Sequence, residues 1–281
     1  PFKIKSFKKI MIILKNKNAV IYGAGGSLGG AVAKALAEAG AKVFLTGRNL
    51  NSVEIVADEI TKSGGYAQVD EVDALDEKAI TDHIEKVIQK VGTVDISFNA
   101  IGVNIVMNIP LVDIAVDDFV NPITTTMRTR FLTAKATAKA MMKQRSGVIL
   151  TLTATPGGIG YPYNGGFAPA CCAVENFSKN LAIELGIYGV RVVNIRSGGS
   201  PDSKIFKEAI DTDPQGMASI LKQMEADTML KKLPLMADIA NLAVFLSSEL
   251  AGKITGVTVD VSSGTTAGLN YRVPPLPDPI N

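Results

Sequence analysis

The chain has 281 residues, 47% of them apolar and 20% charged, with 26 glycines, 2 cysteines and 1 histidine. That length buries a sizeable core in one large α/β domain or two small ones, and the composition excludes a disordered chain, a collagen-like repeat and a disulfide scaffold. Lysine and arginine total 29 against 27 acids, but residues 1–18 hold six of the lysines and no acid, leaving a slightly acidic body that argues against a nucleic-acid partner.

The pass begins with residues 1–17, a basic arm. Its apolar run, residues 10–14, faintly resembles a signal peptide, yet it spans five residues only and Lys15 and Lys17 follow it without a small-residue cleavage site. We read it as a solvated arm leading into the first strand. No run approaches the 18 apolar residues of a membrane span, so no membrane partner is expected. Apolar β-branched runs then alternate with helical stretches. Strands are predicted at residues 19–22, 42–46, 67–72, 94–99, 148–153, 190–195 and 257–261. Helices are predicted at residues 28–39, 52–63, 77–91, 124–142, 172–185 and 239–247. This alternation implies right-handed crossovers and a single-domain, Rossmann-type, doubly wound parallel sheet with helices on both faces, over residues 18–264. Residues 200–234 interrupt the pattern. Their methionines and aliphatics suit either a helical pair on the core or a mobile substrate lid. The tail, residues 265–281, carries Pro274, Pro275, Pro277 and Pro279 and should be extended.

The segment Gly23-Ala24-Gly25-Gly26-Ser27-Leu28-Gly29-Gly30 joins the first strand to the first helix. Glycines there let backbone N–H groups approach a pyrophosphate, whose charge the helix N-terminus stabilises. The second strand ends in Gly47-Arg48-Asn49. A carboxylate at that place would bind the ribose hydroxyls of NAD; Arg48 favours the 2′-phosphate of NADP(H) instead. Adjacent Cys171 and Cys172 make a poor disulfide pair and no metal-ligand spacing, and the scarcity of cysteine fits a reducing, cytoplasmic compartment. His83, in a polar helix, reads as a solvated surface residue. One histidine leaves no room for a zinc site or a Ser-His-Asp triad.

These motifs resemble those of the short-chain dehydrogenase/reductase family over nearly all of residues 18–264. The family's T-G-x-x-x-G-x-G turn stands as Tyr22-Gly23-Ala24-Gly25-Gly26-Ser27-Leu28-Gly29, with Ser27 replacing a glycine. Its adenine-contacting D-V pair is similar to Asp73-Ala74, and its N-N-A-G motif to Asn99-Ala100-Ile101-Gly102. The closing motifs stand as Asp238-Ile239-Ala240, Phe245-Leu246-Ser247-Ser248 and Ile254-Thr255-Gly256, and the P-G motif is altered to Ser197-Gly198. The resemblance implies a small-molecule oxidoreductase that assembles as a homotetramer or homodimer through the two long helices. It also implies an Asn-Ser-Tyr-Lys tetrad, and here the chain departs. Thr126 stands for the asparagine, Ala154 for the serine, Phe167 for the tyrosine and Cys171 for the lysine. Losing a positioned acid costs about 10²–10⁴-fold, so ordinary ketone reduction by the family's route is not expected. Tyr163, Tyr161 and Thr155 remain as weak candidate donors near the fifth strand. Two functions compete: an NADP(H)-dependent oxidoreductase acting on a small apolar carbonyl, enone or imine with a changed donor site, and an inactive nucleotide-binding scaffold or sensor.

Overall fold

The run Asn18–Tyr22 (β1) is buried on both faces and apolar after Asn18, which places it at the centre of a sheet. The computed structural model describes residues 13–268. Seven strands run parallel in the order β3-β2-β1-β4-β5-β6-β7: Lys42–Gly47 (β2), Tyr66–Glu71 (β3), Ile96–Asn99 (β4), Gly147–Ala154 (β5), Val190–Ser197 (β6) and Thr258–Val261 (β7). Helices Ser27–Glu38 (α1), Leu50–Lys62 (α2) and Met236–Ser247 (α8) cover one face. Glu77–Val91 (α3), Val116–Gln144 (α4) and Phe167–Leu185 (α5) cover the other. The doubly wound sheet is as the alternation predicts.

Pairing register levels the strand ends. Tyr22 lies opposite Thr46 on one side and Asn99 on the other, and Asn99 opposite Thr151. The residues that follow, Gly23, Arg48 and Ala100, therefore emerge along one edge, with β5 running three residues further. The order reverses between β1 and β4, and the crevice beyond that switch point is where open α/β sheets bind ligands.

Several expectations need correction. His83 is buried, at 4% exposure, because it shares the inward stripe Ile80, Ile84 and Val87 of α3. Leu14, assigned to the solvated arm, is fully buried, and Lys17 pairs with Glu249; residues 1–12 of the arm lie outside the described residues. The fourth helix starts eight residues early and passes through Pro122. The fifth begins at Phe167, because Pro169 falls in its first turn, where the missing N–H has no helical partner to lose. Residues 200–234 form a helical pair, Lys204–Thr212 (α6) and Pro214–Ala226 (α7), with no buried residue in either helix. Residues 265–267 form a turn closed by Thr265 Oγ1 on Ser262 O (2.7 Å), and the proline-bearing remainder of the tail lies outside the described residues. Among the described residues no helix is long and apolar enough to cross a membrane.

Candidate active site

The glycine turn is built on close backbone approach. Gly23 and Ala24 N–H both donate to Thr46 O (3.1 Å), and Gly26 N–H donates back to Gly23 O (3.1 Å). Gly23 sits at φ +76°, in the left-handed region. A Cβ on Gly29 would fall 2.2 Å from Gly23 O, and one on Gly25 2.1 Å from Ser52 Oγ. The helix that follows, α1, has no side-chain cap and no acid in its first turn. Its leading N–H groups thus face the crevice with their partial positive charge uncompensated, which is the arrangement an anion needs.

Beside this turn runs a groove of about 360 Å³, bounded by Gly23, Gly25, Gly26, Arg48, Asp73, Ala74, Ala100 and Ile101. Arg48 is exposed and makes no ion pair within the described residues. Asp73 uses Oδ1 to accept from Leu75 N–H (3.0 Å). Asn99, expected at the cofactor, is buried and fully occupied elsewhere. Its Oδ1 accepts from Ile101 N–H (3.1 Å) and its Nδ2 donates to Thr133 Oγ1 (2.8 Å), so its amide holds the turn after β4 and lines neither cavity. Gly198 likewise lines neither; it lets Pro234 and Ser262 pack against the backbone.

A second cavity of about 420 Å³ continues from the groove through Gly26, Ala100, Ile101 and Gly102. Ser27 and Leu28 reach its rim, and Ser27 Oγ accepts from Lys204 N–H (2.9 Å), tying the first residue of α6 to the glycine turn. All four tetrad positions meet here: Thr126 from α4, Ala154 from the end of β5, Phe167 and Cys171 from α5. Burial pushes the Cys171 thiol up to about 11, against a smaller opposing effect of its contact with the Ala154 backbone, so it is a neutral group. The suggested alternative donors are placed elsewhere. Tyr161 and Tyr163 line an outer cavity with Pro110, Phe119 and Cys172, and Tyr163 is half exposed at φ +60°. Thr155 lines neither cavity; it contacts Tyr161, whose phenol burial raises.

Sequence reasoning missed Arg130. It lies one turn after Thr126 on the inward stripe of α4, and its guanidinium reaches the same cavity. Nη1 donates to Ile101 O (2.9 Å) and sits 3.3 Å from Thr129 Oγ1. Nε is buried and has no partner among the described residues. Burial pulls the guanidinium down to about 10, and the neighbouring Cys171 opposes this slightly. The i, i+4 relation to a tetrad position was the signal that could have found it. Behind the cavity, Glu175 is held by Arg196 Nε (2.9 Å), Arg196 Nη2 (2.5 Å) and Thr153 Oγ1 (2.9 Å), and so is not free to serve the site.

The family model for enoyl-(acyl carrier protein) reductase matches residues 23–266. The chain is 30% identical over 253 residues to the 3-oxoacyl-(acyl-carrier-protein) reductase of Escherichia coli (strain K12), covering 89% of this chain and 97% of that protein. It is 29% identical over 255 residues to the uncharacterized oxidoreductase YxbG of Bacillus subtilis (strain 168), covering 90% and 92%. Among solved structures it superposes on a short-chain type dehydrogenase/reductase from Mycobacterium marinum with a TM-score of 0.78 at 26% identity, covering 92% and 98%. Levodione reductase gives 0.83 at 23% identity, covering 90% and 99%.

Proposed function

The chain belongs to the short-chain dehydrogenase/reductase family of oxidoreductases, and from that premise we propose that it transfers hydride between NADP(H) and a small apolar carbonyl, enone or imine. The observation that carries this reading is the continuity of the groove with the apolar cavity through Gly26, Ala100, Ile101 and Gly102. A dinucleotide laid along the groove ends where the tetrad positions converge.

The chain's own groups fit such a cofactor. The cradle that a Cβ at Gly25 or Gly29 would fill admits a pyrophosphate against the first N–H groups of α1. Exposed Arg48 would hold a 2′-phosphate, and Asp73 an adenine amino group. When bound, reduced nicotinamide supplies the hydride. Phe167, Ala170 and Val174 keep the reacting end apolar, while Thr126 is the hydroxyl nearest in role to the replaced asparagine. No phenol is available at position 167, so the proton comes from solvent or from a substrate already protonated, which favours imines and activated enones over plain ketones. Ser203, Lys204 and Ile205, at the start of α6, border this end as the base of a lid, anchored by the Ser27–Lys204 bond.

A titration of NADPH and NADH against the protein, followed by a carbonyl, enone and imine panel read by NADPH absorbance, tests the reading. We expect NADPH to bind more tightly and at least one enone or imine to turn over. Tight binding with no turnover across the panel would favour the second reading, a nucleotide-binding scaffold. That alternative draws on the placement of Tyr161, Tyr163 and Thr155 away from the cavity.

The homotetramer or homodimer draws support from α4 and α5. Phe131 and Phe177 stack edge to face across them (6.2 Å), and Phe131, Ile183 and Ile187 are exposed at 49%, 73% and 73%. Sedimentation at micromolar concentration should then find little monomer.

A further inference from the structure

Arg130 poses a problem of charge balance. The residue is 6% exposed and borders a cavity walled mainly by apolar groups. Its two contacts, the Ile101 carbonyl and the Thr129 hydroxyl, are neutral, and its buried Nε is unpartnered. Among the described residues no carboxylate pairs with it: the nearest acid on α5, Glu175, is committed to Arg196. A buried cation without a counter-charge is strongly unfavourable, and proteins compensate such charges with a paired anion. Nothing among the described residues fulfils that role. The cavity, about 420 Å³, has room for a small molecule beside the guanidinium, so an anionic occupant can supply the missing counter-charge.

We propose that Arg130 is the anion-receiving residue of the cavity, and that its ligand is a small, largely apolar carboxylate. The planar guanidinium offers donors in a fork that matches a carboxylate, and the residue borders the cavity while its buried Nε has no partner among the described residues. The rest of such a molecule would lie against Phe167, Val174 and Ile205. This rests on the oxidoreductase reading for the reaction itself, where it narrows the substrate to an enone or imine bearing a carboxylate. It does not rest on that reading for binding. The dinucleotide's own phosphates are not the natural partner, because the pyrophosphate cradle is α1 and Arg130 does not border the groove.

The test is calorimetric titration of the full chain, with and without NADP⁺, using a series of simple carboxylates from acetate to octanoate together with benzoate. The corresponding amides serve as neutral controls. At least one carboxylate should bind about 10- to 100-fold more tightly than its amide, as expected for charge-assisted hydrogen bonds in a buried site. Arg130→Met should remove that preference and Arg130→Lys retain part of it, with NADPH affinity changed less than about twofold. Equal binding of every acid and amide to the unaltered protein overturns the proposal, and needs no variant that might misfold. So does a preserved preference in Arg130→Met. A fall in NADPH affinity without change in carboxylate binding also overturns it, making Arg130 a cofactor-holding residue instead. Failure of NADPH to bind, with the carboxylate preference intact, removes the cofactor reading and leaves this one standing.

Discussion

The groove beside β1 and the cavity between α4 and α5 lie along one edge of one sheet, a few residues apart, yet they are built from different kinds of group. In the groove the turn departs from the family's pattern at Tyr22 and Ser27 only, and Gly23, Gly25 and Gly29 permit close backbone approach. The cavity is lined by Thr126, Ala154, Phe167 and Cys171, with the buried Arg130 beside them. The groove works through backbone N–H groups and the space left by missing side chains, which any helix N-terminus supplies. The cavity works through particular functional groups, and those can be exchanged without disturbing the fold that carries them. Under the proposed reading, the groove would hold the cofactor and the cavity would set the chemistry and the ligand.

The sharpest way to break the comparison is to restore the cavity. Ala154→Ser with Phe167→Tyr and Cys171→Lys rebuilds three tetrad members. A lysine at 171 would sit near the Arg130 guanidinium, since the present thiol already senses that charge. The triple variant should therefore gain little, and addition of Arg130→Val should release a gain of about 10²–10⁴-fold in ketone reduction, with non-additive contributions. NADPH oxidation over a ketone panel measures it. If the unaltered chain already matches the restored one on some substrate, the scaffold reading fails; if the triple variant alone reaches the full gain, Arg130 and position 171 are not coupled.

Breaking the other side needs one methyl-bearing side chain. Gly29→Val would drive a Cβ into Gly23 O, which is backbone and cannot step aside. Dinucleotide affinity should fall by about 100-fold or more while far-ultraviolet circular dichroism keeps the sheet and helices. Retained NADPH binding in that variant would show that the turn is not the cradle. A smaller effect is expected at the adenosine end. Arg48→Glu should weaken NADPH by about 10- to 100-fold and leave NADH nearly unchanged, reversing the preference. Equal losses for both cofactors would mean that Arg48 is not reading the 2′-phosphate.

What could be read from the sequence follows the same division. The glycine turn, the strand ends and the crossover order were legible because they depend on residues whose backbone behaviour is nearly context-free. Thr126, Ala154, Phe167 and Cys171, far apart in the chain, line one cavity. Arg130 was not legible, because an arginine on a helix is normally solvated and only the packing of α4 against the turn after β4 shows it buried. Asn99 was read by motif as a cofactor residue, whereas its side chain is consumed in bonds to Ile101, Thr129 and Thr133 that no spacing reveals. His83 is a different case. Its position three residues after Ile80 and one before Ile84 lies on the apolar stripe, so the periodicity contained the answer and the polar neighbours obscured it.

That histidine leads to the smallest and most local prediction. Asp70, at the end of β3 next to the segment that delivers Asp73 to the groove, faces His83 Nε2 at 3.6 Å and is paired with Lys86. Burial by itself would raise its carboxyl, but the facing His83, Lys86 and Gln68 outweigh this and hold it well below the usual carboxylate range. A depressed carboxyl stabilises the fold above its unfolded pKa of about 4 and loses that contribution as pH falls toward the folded value. Above pH 5 the contribution is therefore complete, and below about 4 it declines. Asp70→Asn should cost about 1 kcal/mol at pH 7, given that the pair is partly solvated, and less than about half of that at pH 2. Urea unfolding at the two pH values measures this. The variant should leave the carboxylate preference of the distant cavity untouched and alter dinucleotide affinity only slightly, through the seating of Asp73. An equal loss of stability at both pH values would mean that Asp70 acts by packing and not by charge, and a loss of carboxylate binding would couple two regions that the sheet otherwise keeps apart.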